Sequence, residues 1–170
     1  LNETLFLKKI SFLFTFFCIL VFVISMNMFD GTNLQSASFY FFLIIYFINN
    51  NLDFNLFLFF LIIPIIFFSI KNFQGKAFLG DGGTYLVSFI FSIVIINNHR
   101  WGGIESDEIV MLIIFPIVET VRLYFARLIN NKNPFMPDKN HFHHIIRDKF
   151  NEKISLVVII ISYLIPITLF

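Results

Sequence analysis

Three of the chain's four histidines fall within four consecutive positions, His141-Phe142-His143-His144. Pro134 and Pro137 stiffen the approach to them, Asp138 and Lys139 come just before, and Arg147 comes just after. His141 and His144 are three apart, a spacing that lets them share a helical face. A zinc site is one chemistry for such a pair, but no Glu-x-x-His or Cys partner completes a closed tetrahedral set. Phosphate binding suits the residue types better: imidazoles, Lys139, Arg147 and Arg127 are all donors. A solvated basic loop accounts for the Lys and Arg but leaves the histidine cluster unexplained.

Two further polar islands stand out. In Gly75-Lys76-Ala77-Phe78-Leu79-Gly80-Asp81-Gly82-Gly83-Thr84, one carboxylate is surrounded by glycines immediately before an apolar run. Glycines let a backbone approach a ligand closely, and a Gly-rich turn opening a helix presents free N–H groups to phosphate. Asp81 so near hydrocarbon is costly unless paired or coordinated, and Lys76 adds a point charge suited to phosphate. The run lacks the Lys-Ser/Thr of a Walker loop. In Asn27-Met28-Phe29-Asp30-Gly31, an apolar run ends in an Asp-Gly turn. That is an ordinary turn signal, yet Asn27 and Asp30 also stand about one helical turn apart.

The elements that must position these islands are membrane helices. The 170 residues are 58% hydrophobic, 19% aromatic and only 14% charged, with 27 Phe and a mean hydropathy of +0.83. Soluble domains carry roughly a quarter charged residues, so a soluble domain is excluded. A spanning helix needs about 20 apolar residues. Six runs qualify or come close: Ile10–Phe29, Ala37–Ile48, Leu56–Ile70 (with Pro64), Tyr85–Ile96, Ile109–Ile129 and Ile154–Phe170. The second and fourth are the weakest.

The expected fold is an all-α polytopic transmembrane bundle of about six spans, one integral-membrane domain over 1–170, with a histidine loop at 130–153. The side holding the joints Asp30–Gln35, Lys71–Thr84 and Asn130–Lys153, with the end of the fifth span, carries nine of the twelve Lys and Arg. The positive-inside rule puts that side in the cytoplasm. His99 and Trp101 fall in the opposite loop, Asn97–Glu108, as a solvated residue and an interfacial anchor. Cys18, the single cysteine, reads as a small hydrophobe. The chain starts at Leu1 and ends inside an apolar run, which suggests a fragment of something larger.

In order and spacing, these islands resemble the C-terminal half of the polyprenyl-phosphate N-acetylhexosamine-1-phosphate transferases. That superfamily includes the phospho-MurNAc-pentapeptide translocase and the UDP-GlcNAc:undecaprenyl-phosphate GlcNAc-1-phosphate transferase. The family's Asn-x-x-Asp-Gly matches Asn27, Asp30 and Gly31. Its Phe-x-Gly-Asp-x-Gly-Ser matches Phe78, Gly80, Asp81, Gly83 and Thr84, with Thr for Ser. Its Pro-x-x-Asp-Thr helix followed by Arg matches Pro116, Glu119, Thr120 and Arg127, with Glu for Asp. Its Pro-Asp-x-x-His-x-His-His loop matches Pro137, Asp138, His141, His143 and His144. The likeness runs roughly from Val21 to Lys149. The family's upstream Asp-Asp-x-x-Asp motif has no counterpart, since no two Asp are adjacent here.

The resemblance implies transfer of an N-acetylhexosamine 1-phosphate from a UDP-sugar to a polyprenyl (undecaprenyl) phosphate, with release of UMP. It implies Mg²⁺ as cofactor with Asp81 as metal ligand, and a catalytic set of Asp81, His141, His143 and His144. Asn27, Asp30, Lys76, Arg127 and Asp138 would bind substrate. The expected partners are the UDP-N-acetylhexosamine, the polyprenyl phosphate lipid and the bilayer, with no nucleic acid; a homodimer is compatible. The expected location is the bacterial inner membrane, with the site facing the cytoplasm. The His-x-His-His spacing resembles the GlcNAc-type branch and favours a donor feeding lipopolysaccharide O-antigen, teichoic-acid-like or other envelope glycan synthesis, with peptidoglycan also among the glycans the superfamily serves. Without the upstream acidic pair, this chain alone is expected to be inactive. A non-catalytic fragment or degenerate paralogue is the alternative; a transporter fits less well, because the acidic residues lie mostly at span ends.

Overall fold

A computed structural model describes residues 10–50, 55–131, 133 and 142–168, with side chains at all of these except 55–57, 143, 144 and 152. The described residues form seven helices: α1 Ser11–Phe29, α2 Gln35–Asn49, α3 Asn55–Phe73, α4 Gly80–Arg100, α5 Ser106–Ile129, α6 Phe142–Lys149 and α7 Glu152–Thr168. The protein is a helical membrane bundle. α1, α4 and α5 are long and apolar enough to cross a membrane, while Gln35–Asn49, Leu58–Phe73 and Lys153–Thr168 are shorter apolar helices. The fourth run, among the weakest on its hydrophobic core alone, becomes one of the long helices. Helix forms on both sides of it, through the glycines and through Asn97–Arg100.

Local chemistry fixes where the helices stop. α3 ends in a Schellman arrangement: Lys76 N–H donates to Lys71 O at 2.9 Å and Gly75 N–H to Asn72 O at 2.9 Å. Gly75 sits at φ +67, the left-handed conformation that this cap needs and that glycine adopts without strain. α4 ends the same way, with Gly103 N–H bonded to Asn98 O and Gly102 N–H to His99 O. α5 opens with a reciprocal capping box between Glu105 and Glu108. The joints are therefore shorter than the hydrophobic runs suggested, because residues 71–73, 80–84, 97–100 and 106–108, outside those runs, are helical.

Packing follows helical periodicity. α1 buries Phe22, Ser25, Met26 and Phe29 along one stripe, as a one-sided helix should, and packs between α4 and α5. The facing stripe of α4 is small and polar, with Thr84, Ser88 and Ser92 all buried. Small residues let membrane helices approach closely. The Ser88 and Ser92 hydroxyls are satisfied by donating to the carbonyls one turn back, at 2.6 and 2.9 Å. α2 is central, burying Phe39, Tyr40, Leu43, Ile44 and Phe47, with Tyr40 stacked on Phe91 at 5.4 Å. Outward-facing Phe12, Phe16, Phe59, Phe60 and Phe67 are more than half exposed, as lipid-facing residues of a bundle are.

Candidate functional site

The first two islands meet where α1 ends and α4 begins. Asn27, in the last turn of α1, accepts a hydrogen bond on Oδ1 from the Thr84 hydroxyl at 2.8 Å and donates from Nδ2 to the Tyr85 hydroxyl at 3.2 Å. Thr84 is fully buried, and its hydroxyl also lies 3.0 Å from both Gly80 O and Asp81 O. One side chain thus ties the amide of the first island to the backbone of the second. Gly80 takes φ +64, which explains a glycine there. At Gly83 an added Cβ would come within 2.8 Å of Leu79 Cγ, so that glycine makes room for packing.

Asp81 lies in the first turn of α4 and is exposed. A helix N-terminus carries partial positive charge and suits anions. An exposed carboxylate there has acceptor capacity for a cation arriving with an anionic ligand. Among the described residues no group of three or more His, Cys, Asp and Glu gathers in metal-binding geometry. A closed all-protein metal cage is therefore not formed by them. Mg²⁺ is usually held by one or two carboxylates, waters and substrate oxygens, and a single exposed Asp81 fits that open mode.

Asp30 caps the end of α1, half-buried, and accepts a hydrogen bond from Ser36 Oγ at 2.5 Å. Burial pushes its carboxyl above the usual 3.8, and the Ser36 hydrogen bond offsets part of that rise. Asp30 lines a half-open pocket of about 190 Å³ together with Gly31, Thr32, Asn33, Asn72, Phe78 and Arg147. The α1–α2 turn, the end of α3, the approach to α4 and α6 all contribute to it. Arg147 brings the third island to the first.

A second connection reaches the same island from α5. Phe29, Phe115 and Phe142 form a chain of edge-to-face rings at 5.8 Å each. The backbone N–H of Phe142 donates to Glu119 Oε1 at 2.6 Å. The described parts of all three islands therefore gather at one end of the bundle.

Of the residues expected to act, Asn27 is bonded into the α1–α4 junction, Asp30 lines the pocket, and Asp81 is exposed at the mouth of α4. Lys76 is exposed in the α3–α4 turn and Arg127 is buried in the last turn of α5; neither lines the pocket. His143 and His144 belong to the first turn of α6, with their side chains outside the described set. Asp138 and His141 lie outside the described residues altogether. His99 is exposed but not merely solvated, since its Nδ1 pairs with Ile104 O at 2.9 Å and fastens the α4–α5 turn.

Sequence reasoning passed over Asn72, which is 4% exposed. Its Oδ1 accepts from Leu34 N–H at 2.6 Å and its Nδ2 donates to Ala77 O at 2.8 Å. The available signal was an uncharged amide at the end of an apolar run, which reads more readily as a loop residue. Tyr85 likewise reads in sequence only as the first apolar residue of a span.

No family model matches the chain, and no solved structure matches it. Among curated proteins it is similar to the undecaprenyl-phosphate alpha-N-acetylglucosaminyl 1-phosphate transferase of Pasteurella multocida (strain Pm70), 28% identical over 106 residues, covering 58% of this chain and 30% of that protein. The proteins of the same name in Salmonella typhi and Escherichia coli (strain K12) are 28% and 29% identical over 90 residues, covering 51% of this chain and 24% of theirs. The matched segment thus spans about a quarter to a third of the length of these relatives. The resemblance drawn from the four motifs is borne out over that part of the chain.

Proposed function

We propose that this chain forms part of a transferase that moves N-acetylhexosamine 1-phosphate from a UDP-sugar to polyprenyl phosphate in the bacterial inner membrane. An oxygen of the lipid phosphate attacks the β-phosphorus of the donor. The bond from that phosphorus to the bridging oxygen breaks, UMP leaves, and a lipid-linked sugar diphosphate remains. The observation that carries the reading is the gathering of three separate motifs at one end of an apolar bundle, where a membrane lipid's phosphate and a soluble nucleotide can meet. The relatives' name supplies the undecaprenyl phosphate and the GlcNAc 1-phosphate.

Both reactants are anionic, so the work is charge neutralisation and in-line positioning. In this reading the N-terminus of α4 faces the diphosphate, and Asp81 would hold Mg²⁺, which neutralises phosphate charge when bound. Asn27 keeps the start of α4 in place through Thr84. Asp30 and Arg147 line the pocket offered to the nucleotide sugar. His141, His143, His144 and Arg127 would steady the phosphates, with Asp138 binding substrate and Lys76 adding positive charge. Nine of twelve basic residues on the site's side support a cytoplasmic orientation. With no adjacent Asp pair in the chain, turnover would need residues supplied from upstream.

The test replaces the matched segment of the Escherichia coli relative with this chain and follows UMP release across a Mg²⁺ titration. Mg²⁺-dependent release is expected, unaffected by a zinc-selective chelator. Asp81→Asn, His141→Ala and His144→Ala should each lower the rate on the order of 10²–10³, the usual cost of one positioned electrostatic partner. An inserted, folded chimera without turnover would overturn the reading, and near-wild-type rates in both histidine variants would reduce the cluster to a basic anchor.

A further inference from the structure

α6 is only eight residues long, too short to hold its shape alone in water. Its place depends on what it docks against. Ile146 is buried and Phe142 half-buried, and Phe142 meets Phe115 edge to face at 5.8 Å. A polar attachment between α5 and the start of α6 is of another kind. Glu119 Oε1 receives the N–H of Phe142, the first residue of α6, at 2.6 Å. The first N–H groups of a helix have no partner within it, and a carboxylate there also complements the helix dipole.

The Glu119 carboxylate is itself held in orientation. Arg122 donates to it through both Nε and Nη2, at 2.7 and 2.8 Å, a paired geometry that fixes direction as well as charge. Glu119 is 8% exposed while Arg122 is exposed. Three elements are thereby aligned: a buried carboxylate on α5, a guanidinium that braces it, and the start of the helix bearing His143 and His144. At the other end of α6, Arg147 reaches the pocket beside Asp30.

We propose that Glu119 is a positioning residue. It caps α6 from a neighbouring helix and so sets where the backbone of His143 and His144, and the Arg147 side chain, stand relative to Asp30. This deepens the transferase reading and rests on it for its functional meaning. The docking itself is a property of the chain that is measured separately.

The experiment follows amide hydrogen exchange, helix by helix, on the whole chain in lipid nanodiscs. Glu119→Ala should speed exchange in α6 about tenfold, roughly the loss of one hydrogen bond to a charged acceptor. Exchange in α1 and α4 should stay at the parent rates. Glu119→Gln keeps an acceptor oxygen but no charge, and should restore most of the protection, leaving α6 only a few-fold faster than the parent. Parent-like exchange of α6 in Glu119→Ala overturns the proposal. If Glu119→Ala loosens every helix, Glu119→Gln decides: faster exchange confined to α6 supports the cap, and unchanged exchange overturns it. UDP-GlcNAc with Mg²⁺ is titrated in parallel against the Escherichia coli chimera. Absent binding there, alongside α6-specific exchange, would retire the transferase reading and leave the cap standing.

Discussion

Replacing Asn72 by Ala removes two hydrogen bonds that staple the α1–α2 turn to the α3–α4 connection. Asn72 is almost fully buried and bonds Leu34 N–H at 2.6 Å and Ala77 O at 2.8 Å. A typical neutral hydrogen bond contributes about 0.5–1.5 kcal/mol net, and a buried partner left unpaired costs more. Leu34 and Ala77 are only half-buried, so water can partly replace the amide and the middle of that range, about 1 kcal/mol, applies to each. Two such bonds give about 2 kcal/mol, against which the better helix propensity of Ala returns about 0.5 kcal/mol. Leu34 adds leverage, because it holds a left-handed φ of +65 at the start of α2, a conformation costly for a branched side chain. Without Asn72 the turn has less to hold it there. The assay is reversible unfolding in mixed micelles followed by far-ultraviolet circular dichroism, with exposed Gln74→Ala as control. A loss of about 1.5–2 kcal/mol is expected for Asn72→Ala, with Gln74→Ala within about 0.5 kcal/mol of the parent. Equal stability of the two variants would refute the staple.

Gly80→Ala should lose about 1–2 kcal/mol, since φ +64 is a left-handed conformation penalised by a Cβ. Gly82→Ala, at an ordinary φ with nothing near the added Cβ, should be neutral or gain about 0.5–1 kcal/mol; equal losses would refute the assigned backbone. Asp30 predicts a pH dependence. Its folded carboxyl titrates above 3.8 because burial disfavours the charge, so the fold binds that proton more tightly than the unfolded chain does. Its contribution to stability therefore falls as pH rises from 3.8 through the folded value, then levels off. Asp30→Asn should remove that slope, and parallel stability–pH curves for parent and variant would refute the buried assignment.

Much of this was legible in the sequence because a membrane helix announces itself by length and apolar content. Six apolar runs became six apolar helices, and the three islands fell together because alternate joints of a polytopic chain share a face. The ends were less legible. Helix α4 absorbed Gly80–Thr84 at one end and Asn97–Arg100 at the other, since a membrane helix can continue through polar residues once the hydrocarbon stops. α6 could not be read from hydropathy, because eight mixed residues take helical form only through docking on α5 and α7. Asn72, and the hold of Glu119 on α6, were hidden for a related reason. Each bonds a backbone group far along the chain, 38 and 23 residues away, and a backbone group leaves no residue-type signature in sequence.

The central claim is that a phosphate moves with the sugar, and it is tested by placing ³²P on the β-phosphate of UDP-GlcNAc. The donor is given, with Mg²⁺ and undecaprenyl phosphate, to the Escherichia coli chimera carrying this chain, and the lipid phase is counted against the aqueous phase. Sugar-1-phosphate transfer carries the label into the lipid while unlabelled UMP appears in water, and Asp81→Asn should slow both on the order of 10²–10³. Label remaining in water as UDP while sugar enters the lipid, or no transfer by a chimera that inserts and folds, would contradict the account.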